Sequence, residues 1–225
     1  MTQEYDNLTE QYGAKPTGYY EMDRSEMLGF VPSGARSLLE VGCGSGAFGH
    51  LIKKTLADCE VWGIEPDPSA AAEAQGRLDN VINGTFPAGA DAIQGKRFDV
   101  ICFNDVLEHL ANPEKALMAT KEFLTDGGVV VASIPNILYF YQILEIVLEQ
   151  DWRYQDAGIL DNTHLRFFTK KSIVRLFESS GFEIDEIKGI NSCYGIKYRV
   201  ANLITLGRLI DWKYIQFGVR ARPAL

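Results

Sequence analysis

The chain has 225 residues and a formal net charge of −8, because it contains 22 Lys and Arg residues and 30 Asp and Glu residues. Hydrophobic residues make up 46% and charged residues 23%, a mixture that excludes a wholly disordered or fibrous protein. The length suits one domain, residues 1–225, with a substantial core. We expect no nucleic-acid partner, because binding to phosphates requires clustered Lys and Arg.

Neither the N-terminal residues nor the cysteines indicate secretion. The first ten residues are polar and acidic, so no secretory signal is predicted. The most apolar stretch, residues 137–148, contains Gln142 and Glu145 and is too short to span a bilayer. The four cysteines are scattered and form no C-x-x-C pair. We therefore expect a cytoplasmic protein with reduced thiols and no integral membrane segment.

Strand and helix patterns alternate along the chain. Strands are predicted at residues 37–41, 60–64, 80–82, 98–103, 129–134, 182–190 and 214–220. Helix signals between them are residues 47–56, a cap at Ser69, Asn112 followed by Pro113, and a cap at Thr169. Apolar strands separated by helices indicate a parallel sheet covered on both faces. We predict an α/β, Rossmann-like sheet of seven strands, mostly parallel, with helices on both faces and an antiparallel last strand at the edge.

Two connections are longer than a strand–helix link requires. Residues 136–169 are predicted to form a substrate cap, since long connections at a ligand-binding face act as lids. Within them, an amphipathic helix at residues 137–148 packs on the core, forms a dimer or contacts a membrane-bound acceptor. Residues 195–213 are predicted as a helical insertion, with a helix over 198–212, before the last strand. This insertion is expected either to cover the entrance of the substrate site or to form a subunit interface. The second alternative would make the protein a homodimer.

A glycine-rich turn follows the first strand, in Glu40-Val41-Gly42-Cys43-Gly44-Ser45-Gly46. Alternating glycines permit positive φ angles and a close approach of the backbone to a ligand. The next helix begins at once, so its free N–H groups face that ligand. No G-K-[ST] follows, which excludes a Walker phosphate loop. Glu65 ends the second strand, 19 residues after Gly46, where a carboxylate accepts protons from both ribose hydroxyls.

Four motifs in this order resemble those of the class I S-adenosylmethionine-dependent methyltransferases. LLEVGCGSG is similar to their first motif and GIEPD to their second. FDVICFNDVLEHLANPEKAL and LTDGGVVVASIPN are similar to their motifs at the fourth and fifth strands. The resemblance covers most of residues 20–190. It implies S-adenosylmethionine as cofactor, S-adenosylhomocysteine as product and a small-molecule methyl acceptor.

The resemblance also implies which residues hold the cofactor. Glu40 and the glycines would surround its methionine part, and Glu65 its ribose. Tyr20 and Arg24 would close over it, with Arg24 near its carboxylate. The residues implied to bind the cofactor are Tyr20, Arg24, Glu40, Gly42, Gly44, Gly46, Glu65, Pro66, Asp67, Phe86, Asn104, Asp105 and Val106.

The histidines are the candidate bases. We predict His164 and His109 as catalytic residues, with hydrogen-bonded structural roles as the alternative, and we assign no metal ligand. The spacing of Asp105, Glu108 and His109 nevertheless resembles the E-x-x-E-H metal site of some RNA and quinone methyltransferases. In that alternative a divalent ion would bind these three residues, with His164 as a fourth ligand.

The segment DNTHLRFF, which contains His164, resembles bacterial methyltransferases associated with sugars and surface polysaccharides. The leading expectation is therefore methyl transfer to an oxygen or nitrogen of a sugar or nucleotide-sugar in bacterial glycan synthesis. An aromatic or quinone-type hydroxyl is the alternative acceptor. Outside this class stand an NAD-dependent oxidoreductase and a non-catalytic cofactor-binding protein. Residues of the connection expected to contact the acceptor are Tyr139, Tyr141, Trp152, Arg153, Tyr154, His164 and Arg166.

Overall fold

The computed structural model describes residues 24–224, apart from the side chains of residues 90 and 91. Within these residues, seven strands form one sheet. Their order is β3-β2-β1-β4-β5-β7-β6, and β7 runs opposite to the other six strands. This confirms the predicted fold class. The strands are β1 (Ser37–Val41), β2 (Glu60–Glu65), β3 (Asn80–Asn83), β4 (Phe98–Asn104), β5 (Leu124–Pro135), β6 (Phe182–Ser192) and β7 (Tyr214–Pro223).

Among the described residues, six α-helices lie between these strands, and three of them begin at side-chain caps. Asn112 and Thr169 cap two of them as predicted. Ser69 does not cap the second helix. Asp67 does, by accepting a 2.8 Å hydrogen bond from the Ala70 N–H, because Pro68 already occupies the first helical position. The α-helices are α1 (Ala47–Thr55), α2 (Pro68–Ala74), α3 (Pro113–Thr120), α4 (Phe140–Glu149), α5 (Lys170–Ser179) and α6 (Ile196–Ile204).

Both faces of the sheet are covered, as the continuous apolar strands predict. Successive side chains of a strand point to opposite faces. On β1, Leu38 packs into one buried cluster and Leu39 into the other. On β4, Val100 and Ile101 divide between the same two clusters. The sheet is therefore the middle layer between two cores.

The antiparallel strand does not lie at the edge of the sheet, where we expected it. It lies between β5 and β6, so β6 forms the edge. Its pairing with β5 extends from Val130 opposite Ala221 to Pro135 opposite Gln216. This register carries Gln216 to the end of the sheet where the parallel strands finish.

The two long connections contain shorter helices than predicted. In the first, α4 begins at Phe140, after the Asn136 side chain has accepted a hydrogen bond from the Leu138 N–H. In the second, α6 ends at Ile204, because Leu206 and Gly207 both take positive φ angles and turn the chain. Among the described residues, no helix combines the length and the apolar character needed to cross a membrane.

Asn136 is the buried junction between the first connection and β7. Its amide donates to the carbonyl oxygens of Asp211 and Tyr214, at 3.2 and 2.9 Å. Asn136→Ala removes both of these hydrogen bonds of a buried side chain and should lower the free energy of unfolding by about 1–3 kcal/mol, measured by urea denaturation. Asn80→Ala, which removes a 3.4 Å contact with Glu60 at the surface, should stay within about 0.5 kcal/mol of the unmutated protein. Equal effects of the two variants would contradict this assignment.

Candidate active site

A cavity of about 500 Å³ lies at the carboxyl ends of the central strands. It is lined by Val41 from β1, Glu65 from β2 and Asn104 from β4. Because β1 pairs with β2 on one side and with β4 on the other, the strand order reverses here. Open α/β sheets bind ligands at such a reversal. The topology alone therefore makes this cavity the candidate site.

The glycine-rich turn brings backbone to the wall of the cavity. Gly42 has φ +69°, and a Cβ atom there would lie 2.6 Å from Cγ2 of Val106. Gly46 has φ +81° and precedes α1. No residue with a side chain fits the first position without displacing Val106. The turn therefore presents main-chain groups, rather than side chains, to whatever fills the cavity.

Glu65 is buried beside this turn. Its Oε2 accepts a 2.8 Å hydrogen bond from the Gly44 N–H, and its Oε1 accepts one of 2.9 Å from the Asp67 N–H. Burial raises the pKa of Glu65 to about 7, although both hydrogen bonds favour the charged form. The two N–H groups fix the carboxylate plane at the cavity wall, which suits a group that accepts bonds from a diol.

Glu40 lies beneath the turn. Its Oε2 accepts from the Gly49 N–H at 3.2 Å, and its Oε1 accepts from the Asn104 amide at 3.5 Å. Burial raises the pKa of Glu40 to about 8, although the bonds from Asn104 and Gly49 favour the charged form. The Oδ1 atom of Asn104 is buried with no hydrogen-bond partner among the described residues. An oxygen in this position fits a ligand that brings its own donor, such as an ammonium group.

Asp105 joins three parts of the fold at the cavity wall. Its Oδ1 accepts from the Ser133 hydroxyl at 2.9 Å and from the Gln216 amide at 2.7 Å. Its Oδ2 forms an ion pair with Arg24. The φ of Asp105 is +52°, a left-handed conformation that these three bonds hold in place. Arg24, expected near the carboxylate of the cofactor, thus has Asp105 as a partner.

Most residues implied to bind the cofactor meet at this cavity. Gly46 does not line it, because its place at the start of α1 turns it towards Leu78 and Ala74. Tyr20 lies outside the described residues. Those that line the cavity are Arg24, Glu40, Gly42, Gly44, Glu65, Pro66, Asp67, Phe86, Asn104, Asp105 and Val106.

Both predicted catalytic histidines line the same cavity, with ring centroids 4.6 Å apart. Nδ1 of His164 is 3.0 Å from the Ile159 carbonyl oxygen. A carbonyl only accepts, so Nδ1 carries the proton and Nε2 is the basic nitrogen of the neutral ring. Nδ1 of His109 lies 3.2 Å from the Thr163 carbonyl oxygen, which indicates the same tautomer. Each ring therefore has Nε2 as its acceptor atom.

Glu108 lies beside these rings, and neither of its buried carboxyl oxygens has a hydrogen-bond partner among the described residues. Burial, followed by the charge of Asp105, raises its pKa well above the usual range. Ligand atoms of Glu108, His109 and His164 all lie within 4.8 Å of one another. Asp105 is absent from this group because Arg24, Ser133 and Gln216 engage its carboxylate. One carboxylate and two imidazoles are suitable ligands for Zn²⁺ or Mn²⁺. Such an ion would lower the pKa of a hydroxyl group bound to the metal.

The sequence did not reveal Gln216, and it misplaced the aromatic residues of the first connection. Gln216 is the polar residue within the apolar run YIQFGV of β7, and this was the one signal available. Trp152 instead packs on Phe167, and Arg166 donates to the Ala111 carbonyl. The described residues of the first connection that line the cavity are Ala157, Gly158, Ile159, Asp161 and His164.

A sheet that reverses its strand order at a glycine turn, with a carboxylate on the neighbouring strand, defines a nucleoside-binding α/β protein. The sequence profile of the methyltransferase domain family matches residues 16–187. The ubiquinone biosynthesis O-methyltransferase of Cereibacter sphaeroides is 34% identical over 192 residues, 82% of this chain and 72% of that protein. Its namesake in Azorhizobium caulinodans is 29% identical over 162 residues, which span 68% of this chain but 61% of that relative.

Solved structures share the fold at low sequence identity. A SAM-dependent methyltransferase from Archaeoglobus fulgidus superposes with a TM-score of 0.66 at 19% identity, covering 96% of this chain and 98% of that chain. The plantazolicin methyltransferase BamL, solved with SAH, gives a TM-score of 0.62 at 12% identity, with coverages of 100% and 90%. The chain belongs to the family of class I S-adenosylmethionine-dependent methyltransferases. This confirms the predicted class and the predicted cofactor.

If Glu65 binds the ribose of the cofactor, its raised pKa predicts that cofactor affinity depends on pH. Only the carboxylate accepts bonds from two hydroxyls, so protonation below about pH 7 should raise the Kd of S-adenosylhomocysteine, at most about tenfold per pH unit. Calorimetric titration between pH 5.5 and 8.5 measures this. Glu65→Gln should bind more weakly at high pH and lose this dependence. An identical pH profile in the variant would contradict the role of Glu65.

The alternative of a bound metal ion is tested by metal titration of the protein and of variants that lack one of the three potential ligands. Titration of Zn²⁺ or Mn²⁺ into protein stripped with EDTA should show one binding site, weakened by Glu108→Gln and by His109→Ala. His50→Ala, on α1 and remote from this group in sequence, is the matched control and should bind as before. Absence of heat on titration, together with full activity in excess EDTA, would reject the metal.

Proposed function

We propose that this protein transfers a methyl group from S-adenosylmethionine to the hydroxyl oxygen of an aromatic or quinone-type small molecule. The observation that carries the proposal is the composition of the cavity beyond the residues implied to bind the cofactor. Its wall there is mainly apolar, and its polar residues are Thr85, Glu108, His109, Asp161, His164 and Gln216. Asp161 already accepts hydrogen bonds from Thr163, and Gln216 already bonds Asp105 and Asn191. Apolar residues of this wall include Leu110, Pro135, Ile159 and Ile215.

An apolar wall favours a flat, apolar acceptor over a sugar. A sugar presents several hydroxyls, and each one buried without a hydrogen bond costs free energy. An aromatic ring has one or two hydroxyls and needs polar partners only there. The names of the curated relatives, ubiquinone biosynthesis O-methyltransferases, support the same choice. The sugar expectation loses support because Tyr139, Trp152 and Arg166 are not among the residues that line the cavity.

His164 is the proposed general base. Since Nδ1 is committed to the Ile159 carbonyl, Nε2 would take the proton of the acceptor hydroxyl as its oxygen becomes bonded to the methyl carbon. The second ring, His109, lies close enough to share this task. A base of this kind contributes roughly 10²–10⁴-fold to the rate of a hydroxyl acceptor. A divalent ion at Glu108 would lower the hydroxyl pKa instead, so chelation separates the two roles.

Most of the remaining catalysis would come from alignment. S-adenosylmethionine supplies an electrophilic methyl group on a positively charged sulfur, which leaves as a neutral thioether. The protein must hold the acceptor oxygen in line with that carbon, which is worth ~7–11 kcal/mol of the barrier. In the proposed arrangement Glu65 and the glycine turn fix one reactant, and the walls at Ile159 and Ile215 position the other.

The proposal is tested by transfer of labelled methyl to two acceptors, an alkyl-substituted catechol and a nucleotide-sugar. We expect methylation of the catechol. His164→Ala should lower its turnover by roughly 10²–10⁴-fold and leave the affinity for S-adenosylhomocysteine unchanged, whereas His50→Ala should preserve both. Methylation of the nucleotide-sugar alone would overturn the aromatic assignment. Normal turnover in His164→Ala with a loss of cofactor affinity would overturn the role of His164.

A further inference from the structure

The segment formed by residues 194–213 exposes an unusual amount of apolar surface. Ile196 is 71% exposed, Leu203 76%, Ile204 75% and Leu206 90%. Val200 and Ile210 in the same segment are at least half exposed. Isolated exposed apolar residues are common on proteins, but a contiguous patch marks a site of interaction.

The apolar residues of α6 lie on one side of the helix. Positions 196, 200, 203 and 204 follow the spacing of residues that share a helix face. The opposite face is anchored by Tyr198, whose ring packs at 5.7 Å from that of Phe140 and whose hydroxyl donates to the Ile210 carbonyl. This anchoring fixes which face points outward, so the exposed residues are a property of the fold.

The segment is basic although the protein is acidic. It contains Lys197, Arg199, Arg208 and Lys213 against the single acid Asp211, a net charge of +3 in a chain of net charge −8. The Asp211 carboxylate is itself 3.2 Å from Lys170 of α5. Apolar side chains interspersed with cations are the pattern of helices that lie in the interface of an anionic membrane.

We propose that residues 194–213 dock the protein on the surface of an anionic lipid bilayer. The apolar side chains would enter the boundary between headgroups and acyl chains, while Lys197, Arg199 and Arg208 meet the lipid phosphates. Charge decides between this partner and a second copy of the chain. A symmetric dimer through this face would place like cations opposite one another, whereas an anionic surface neutralises them.

Residues 194–213 lie next to the active-site cavity, so their docking on a membrane would also affect the position of the active site. Ile215 and Gln216 follow the segment directly on β7, and both line the cavity. The amide of Asn136, at the start of the first connection, bonds the Asp211 carbonyl within the segment. Docking would therefore hold the acceptor side of the cavity near the bilayer, where apolar aromatic acceptors accumulate. This consequence rests on the proposed function, whereas docking itself does not.

Vesicle flotation with the full chain tests the docking. Vesicles of phosphatidylcholine are compared with vesicles of equal parts phosphatidylcholine and phosphatidylglycerol, at low and high ionic strength. We expect binding to the anionic vesicles, weakened by salt. Leu203→Ser/Ile204→Ser and Lys197→Glu/Arg199→Glu should each weaken it by at least about tenfold. All four residues are exposed, so the fold should survive. Met118→Ser, which removes an exposed apolar side chain on α3, is the matched control and should bind as before.

Failure of the docking proposal is distinct from failure of the proposed function, because flotation involves no methyl transfer. Equal binding to both kinds of vesicle, binding to neither, or full binding by Leu203→Ser/Ile204→Ser would overturn it. Analytical ultracentrifugation tests whether this face instead forms a dimer. A dimer that Leu203→Ser/Ile204→Ser dissociates would assign this face to a second copy of the chain and overturn the lipid assignment.

Discussion

The site depends on one buried carboxylate held by two backbone N–H groups. Glu65 ends β2, Gly44 belongs to the turn after β1, and Asp67 caps α2, so the bonds between them tie three elements together. Without the positive φ of Gly44, its N–H could not point at the neighbouring strand. The same carboxylate that assembles the turn therefore lies at the wall of the cavity. The residue that organises the local fold is therefore also the one predicted to bind the ribose.

A second junction connects the sheet's antiparallel strand to the site. Asp105 bonds Gln216 of β7 and Ser133 of β5, and it pairs with Arg24. Because Gln216 reaches Asp105 only when β7 lies beside β5, the strand order and the cavity wall are established together. The cost of a left-handed Asp105 is offset by these three charged or polar bonds. The departure from the expected edge position of β7 is thus what completes the site.

The sequence predicted the parts of this site that repeat local rules. The glycine turn, Glu65 and the caps at Asn112 and Thr169 follow from φ angles, strand ends and cap chemistry, which neighbouring residues determine. The position of β7 and the role of Gln216 were not predictable in this way, since they depend on contacts between residues far apart in sequence. Gln216 and Asp105, for example, are 111 residues apart. The prediction that the aromatic residues within 136–169 contact the acceptor failed for a related reason. Their composition predicted contact with the acceptor, but the Trp152 ring packs against Phe167 and does not line the cavity.

Three buried carboxyls along one cavity explain why a cationic cofactor suits this fold. Burial raises the pKa of Glu65 to about 7, that of Glu40 to about 8 and that of Glu108 well above its usual range. An acid whose pKa is higher in the folded state than in the unfolded chain opposes folding as pH rises from its ordinary value through the raised one. For Glu40 and Glu65 that window is about pH 4.5 to 8 and about pH 4.5 to 7. A ligand with an ammonium and a sulfonium group places positive charge in the same cavity and favours the ionised carboxyls. Binding of such a ligand beside these carboxyls would remove part of the destabilisation at neutral pH, which would link cofactor affinity to stability.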